Sequence, residues 1–293
     1  MLKIALVTDS TSAITKQEAE KNNIIVISIP IIIGQKEYLE NVDITSDQLF
    51  KMQREGADFP KTSQPSSGDL IRLFDRLHDE GYEAIIAITL SSGISGFYQT
   101  LCNISENNPK YNLHAIDTRM TVRLQGNLVL AAARMIKNGL DLDTILVKLD
   151  KIKSTIDEIF VVNDLKNLSR GGRLSNATAF IGSMLNIKPL LTFKDGDIVA
   201  FDKIRSMKRA FIKIKSLTVE KIDKLPYKDQ IKLFIIDSND KSQAEEAEDF
   251  LKEKFPKQNI SVTKFSPVIA THLGEKSFAI GWMIDIDKID LTK

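Results

Sequence analysis

The side chains able to do chemistry fall in a few short segments. In Lys61-Thr62-Ser63-Gln64-Pro65-Ser66-Ser67, two hydroxyls and an amide at Thr62, Ser63 and Gln64 stand just before a helix signal. Ser66 with Asp69 three residues on has the form of a capping box, and Pro65 suits a helix entry. Capping accounts for Ser66 and leaves Thr62, Ser63 and Gln64 as candidate ligand-binding groups. In Ser91-Ser92-Gly93-Ile94-Ser95-Gly96, two glycines three apart open a helix, so backbone N–H groups beside Ser92, Ser95 and Gly96 could face a small anion. No Gly-Lys-Ser/Thr follows, which excludes a Walker A loop.

Leu168-Ser169-Arg170-Gly171-Gly172-Arg173-Leu174-Ser175 brackets a glycine pair with guanidinium groups. That combination suits phosphate or carboxylate, and equally a turn with solvated arginines. His272, in Thr271-His272-Leu273-Gly274, reads either as a structural histidine or as part of the same site. His78 and His114 fall on a helix and a strand and read as structural. The basic cluster Lys203, Arg205, Lys208, Arg209, Lys213 and Lys215 reads most simply as a solvated helix face, with docking to a protein partner as the alternative.

From residue 1 to about Ile156, β-branched runs alternate with helical patterns, the signature of βαβ units around a mainly parallel sheet. Strands are expected at Lys3 to Thr8, Ile24 to Ile33, Glu83 to Leu90 and Leu113 to Asp117. Helices are expected at Ser67 to Asp79, Leu124 to Lys137 and Asp143 to Ile156. Three of the strands run into small polar residues, at Asp9-Ser10-Thr11-Ser12, at Ser91 to Gly96 and at Asp117-Thr118. In an open α/β sheet, ligands bind at that carboxyl edge, although Asp9, Ser12 and Ser92 would serve equally as helix caps. After Ile156 the texture changes. Strands at Glu158 to Asn163, Ile187 to Phe193, Ile198 to Lys203, Ile231 to Ile236, Ile260 to Phe265 and Phe278 to Ile284 imply a mixed or antiparallel sheet. The expected fold class is therefore α/β in two domains, an N-terminal one at 1–156 and a C-terminal one at 157–293.

The chain has 293 residues, with 40 Lys+Arg against 39 Asp+Glu. A net charge of +1 supplies no general field toward nucleic acid or an anionic bilayer. One cysteine and three histidines exclude an internal disulfide and a Cys/His zinc cluster, which fits a reducing cytoplasm. The apolar run Ile24 to Ile33 is about half the length a membrane-spanning helix needs, and no export signal is visible. The expectation is a cytoplasmic protein with no stable membrane insertion, no bound metal and no cofactor.

The segments Thr8-Asp9-Ser10-Thr11-Ser12, Thr62-Ser63-Gln64-Pro65-Ser66, Leu90-Ser91-Ser92-Gly93-Ile94-Ser95-Gly96, Gly171-Gly172-Arg173 and Ala270-Thr271-His272-Leu273-Gly274 resemble, in order and spacing, the DegV family. The resemblance covers nearly the whole chain. It implies a bacterial fatty-acid-binding protein, the lipid-carrying subunit of a fatty acid kinase. One long-chain fatty acid would lie between the domains, its carboxyl held by the hydroxyls of Thr62 and Ser95. A separate ATP-binding kinase subunit would convert the bound acid to an acyl phosphate for an acyltransferase of phospholipid synthesis. Arg173 and His272, with Gly171 and Gly172, would face the phosphate or the partner. The chain departs from the family at Ala13, where an Asp is common, and after Gly274, where Glu275-Lys276 replaces Pro-Gly and small residues.

The residues also allow a serine hydrolase, with Ser95 as nucleophile, His272 as base and Asp9 or Asp117 as orienting acid. No Gly-x-Ser-x-Gly elbow surrounds Ser95, and no Gly-x-Gly-x-x-Gly fingerprint supports a dinucleotide site.

Overall fold

The structure, a computed structural model, describes residues 2–175 and 187–292. Its first half runs β1 (Ile4–Asp9), α1 (Lys16–Asn22), β2 (Ile24–Ile27), β3 (Pro30–Ile33), β4 (Lys36–Leu39), α2 (Ser46–Arg54), β5 (Lys61–Thr62) and α3 (Ser67–Asp79). It continues through β6 (Ala84–Thr89), α4 (Phe97–Asn107), β7 (Leu113–Asp117), α5 (Val122–Lys137) and α6 (Leu142–Lys153). The second half runs β8 (Asp157–Val161), α7 (Lys166–Gly171), β9 (Lys188–Lys194), β10 (Asp197–Ile204) and α8 (Met207–Asp223). It ends with β11 (Ile231–Asp237), α9 (Lys241–Lys254), β12 (Asn259–Lys264), α10 (Pro267–Leu273) and β13 (Phe278–Ile284).

The fold is mixed α/β. Strands β2-β1-β6-β7 form a parallel sheet, and β6 is buried along its whole length, as a sheet covered on both faces requires. Strands β10-β9-β8-β13-β11-β12 form a six-stranded sheet in which only the β11–β12 pair is parallel. One core cluster runs through both halves, from Leu6, Ile86 and Leu128 to Phe160, Phe265 and Ile269. A second packs Ile159, Val161 and Trp282 against Ile214 of α8 and Leu251 of α9.

The apolar run Ile24 to Ile33 is not the single strand expected from its composition. β2 pairs with β1, and the chain then leaves that sheet at Ser28-Ile29. Pro30, which lacks an N–H to continue a ladder, starts β3 in a separate three-stranded antiparallel sheet, β4-β3-β5. In the basic cluster, Lys203 lies in β10 and Arg205 follows it, so only Lys208, Arg209, Lys213 and Lys215 belong to α8. No helix among the described residues is long and apolar enough to cross a membrane.

Candidate functional site

A cavity of about 260 Å³ opens where the carboxyl end of β6, the small sheet, α10 and the six-stranded sheet meet. Ile29, Leu90, Phe160, Phe193, Ile198, Phe265 and Ile269 supply apolar wall, and Thr62, Ser63, Gln64, Ser95, Gly96, Arg173 and His272 supply polar groups. The volume is near the small end of ligand pockets.

Thr62 is placed by the sheet that the sequence concealed. On β5 it pairs with Ile31 of β3, and the Ser63 N–H donates to the Pro30 carbonyl at 3.1 Å, fixing the segment as it enters α3. Thr62 Oγ1 shares a 2.8 Å hydrogen bond with His272 Nε2. Burial, with the Arg173 charge adding to it, pulls His272 down to about 4, so its ring is neutral near pH 7. Its Nδ1 has no hydrogen-bond partner among the described residues. Gly171 packs on that edge: a Cβ there would stand 2.6 Å from Nδ1. Gly172 closes α7 at φ 69°, a left-handed position suited to glycine. The glycine pair therefore makes room for the imidazole and ends a helix, and neither residue lines the cavity.

Arg173 does line it. Its Nε donates to the Ile94 carbonyl at 3.2 Å and its Nη1 to the Gly171 carbonyl, which stretches the side chain from one half of the molecule to the other. No carboxylate pairs with it among the described residues, so its charge is available to an anionic ligand. Ser95, partly buried, accepts the Phe97 N–H at 3.2 Å in the first turn of α4, while its hydroxyl proton meets no acceptor among the described residues. Gln64 Nε2 donates to Thr100 Oγ1 at 3.0 Å, and Gly96 gives that side chain its space.

The rest of Ser91 to Gly96 does other work than cradling an anion. Ser91 Oγ donates to the Gly196 carbonyl at 2.6 Å, and Gly93 has no room for a Cβ because that same carbonyl packs on it. The loop is thus docked on the turn between β9 and β10. Ser92 faces away from the cavity, its N–H and hydroxyl both donating to Asp117. The arrangement expected of a hydrolase is not formed, because His272 Nε2 engages Thr62 and not Ser95. Asp117 accepts from Ser92 and Arg119, and Asp9 from Thr11, Leu90 and Gln125, so neither carboxylate orients the imidazole.

Two buried carboxyls next to this site, Glu40 and Glu158, were not evident from the sequence. Glu40 lies 0% exposed behind α10, where Oε1 accepts the Val268 N–H at 2.7 Å and Oε2 accepts from Ser10. Burial pushes it up to about 7, against the lowering effect of those bonds. Glu158 lines the cavity itself. Its only signal was a glutamate opening the otherwise apolar run Glu158 to Val162.

The family model described as uncharacterised protein, DegV family, matches residues 3–285. This chain belongs to the DegV family. A DegV domain-containing protein of Listeria innocua is 38% identical over 282 residues, covering 96% of this chain and 99% of that one. The crystal structure of DegV from Bacillus subtilis, described as a fatty acid binding protein, matches with a TM-score of 0.87 at 35% identity. That match covers 97% of this DegV chain and 100% of the other. A fatty acid binding DegV family protein from Streptococcus agalactiae matches with a TM-score of 0.89, also at 35% identity, over 97% and 100% of the two chains.

Proposed function

We propose that this chain binds one long-chain fatty acid in the cavity, between domains at 1–156 and 157–293, and presents the carboxyl to a separate kinase subunit in the cytoplasm. That ATP-binding subunit supplies the phosphoryl group: a carboxylate oxygen attacks the terminal phosphorus of ATP, ADP leaves, and an acyl phosphate results. An acyltransferase of phospholipid synthesis then consumes the product. The observation that carries this reading is an apolar-walled cavity along which Thr62, Ser95 and Arg173, which meets no carboxylate among the described residues, supply hydroxyls and positive charge. The two solved DegV relatives, from Bacillus subtilis and Streptococcus agalactiae, are fatty acid binding proteins, which supports it.

A tail of about sixteen carbons, at roughly 0.8 kcal/mol per buried methylene, draws on the order of 11 kcal/mol before ordering costs. The tail therefore supplies most of the affinity. Thr62 and Ser95 select a carboxyl over an ester, and the neutral His272 fixes the Thr62 hydroxyl. Arg173 takes up charge on the carboxylate and then on the phosphate of the product.

Native mass spectrometry with lipid extraction tests the binding step, and one long-chain fatty acid per chain is expected. A chain that carries none and takes up none from solution refutes the reading. With the kinase subunit, Arg173→Ala is expected to lower acyl phosphate formation at least tenfold, and an unchanged rate removes that role. Incubated alone with ATP and a fatty acid, the chain should form no acyl phosphate; turnover would overturn the carrier reading.

A further inference from the structure

Glu158 lines the cavity, is 2% exposed, and its Oε1 has no hydrogen-bond partner among the described residues. Side chains of β8 alternate: Ile159 and Val161 enter the second core cluster, while Glu158 and Phe160 face the cavity. The path of the chain sets Glu158 apart from the head-group residues. β8 leaves at Val161 toward Leu168 and Arg173. β13 runs antiparallel beside it, with Phe278 opposite Val161 and Gly281 opposite Glu158, so His272, which leads into Phe278, also belongs to the Val161 end. Roughly 10 Å of strand, at about 3.3 Å per residue, separates Glu158 from that end. Thr121, the other hydroxyl on the cavity wall besides the head-group residues, is spent on a 3.0 Å bond to Thr11 Oγ1.

An unpartnered buried carboxyl is costly, and a plain hydrocarbon tail beside it offers no partner. We infer, building on the fatty acid reading above, that Glu158 is a hydrogen-bonding site for the acyl chain itself, so that the cavity selects long-chain fatty acids carrying a hydroxyl or keto oxygen away from the carboxyl. Burial, with the Asp157 charge adding to it, pushes Glu158 up to about 8. The protonated carboxyl then both donates and accepts, which suits either oxygen.

The test compares stearic acid with a set of hydroxystearic acids whose hydroxyl moves from mid-chain to the methyl end, by calorimetry on the delipidated protein. At least one isomer is expected to bind fivefold or more tightly than stearic acid. Glu158→Leu should erase that preference while binding stearic acid at least as well, and Glu158→Gln should retain part of it. Stearic acid binding as tightly as every isomer, or a preference unchanged in Glu158→Leu, overturns the inference and leaves the fatty acid reading standing. Failure of all the acids to bind overturns the fatty acid reading itself. Should Glu158→Leu not fold, infrared difference spectra of the wild type decide: the protonated carboxyl band must shift with the preferred hydroxy acid and stay fixed with stearic acid. A band that behaves alike with both refutes the inference.

Discussion

Replacing Glu40 by glutamine isolates one buried ionisation that acts on stability. In the folded chain Glu40 sits at about 7, against its ordinary 4.5. Between those values the native state binds more protons than the unfolded chain, so stability falls as pH rises and levels off above about 7. At roughly 1.36 kcal/mol per pH unit, the interval of about 2.5 corresponds to about 3 kcal/mol. Glu158, raised to about 8, acts in the same direction. His272 acts the other way: held at about 4 against an ordinary 6.5, it lends stability above about 6.5 that is lost as pH falls toward 4. In the wild type these slopes partly cancel below about pH 6.5, and the decline shows above it. Glutamine keeps the geometry, because its Oε1 still accepts the Val268 N–H and its Nε2 can donate to Ser10. The stability of Glu40→Gln relative to wild type, from urea unfolding at a series of pH values, should therefore grow by about 3 kcal/mol between about pH 4.5 and about pH 8. A relative stability that stays flat across that range refutes the assignment of a proton to Glu40.

Two glycine positions give further checks. Gly126 of α5 lies against the Ser12 carbonyl with no space for a Cβ, so Gly126→Ala should cost at least about 1–3 kcal/mol in urea unfolding, although alanine ordinarily favours a helix. In Gly171→Ala, the new methyl collides with His272 Nδ1 and should push the ring off Thr62. The expected outcome is a shifted His272 ring resonance and a several-fold weaker grip on fatty acid, with a melting temperature that changes little. An unmoved resonance would show that the glycine is not what seats the imidazole.

Much of the fold was legible because burial on both sides of a parallel sheet leaves continuous apolar runs, and β1, β6 and β7 fell where those runs lie. The helix from Ser67 to Asp79 was equally plain from its spacing and its Ser66 cap, whose Oγ accepts the Asp69 N–H. The break between β2 and β3 was not, because apolar residues run from Ile24 to Ile33 with only Ser28 and Pro30 among them to mark the change of sheet. That miss mattered for the site, since β3 is what holds Thr62. Short hydroxyl residues looked alike in one dimension: Ser95 borders the cavity and Ser92 serves Asp117, a difference set by which way the turn before α4 faces. The guanidinium beside the glycine pair was visible from its type. Its anchoring to Ile94 depends on contact between residues 79 apart and could not be read from spacing.

The cavity has one wall made early and one made late. Ile29, Thr62 and Leu90 belong to the first third of the chain, whereas Phe265 to Leu273 come from its last tenth. During synthesis the greasy face next to β3 must wait, uncovered, for nearly the whole polypeptide to emerge before α10 can lie over it and Val268 can reach Glu40. For that interval the nascent chain offers a sticky furrow to whatever apolar molecule is nearby, a hazard for a ribosome-bound intermediate and a reason to expect chaperone engagement until the final helix arrives.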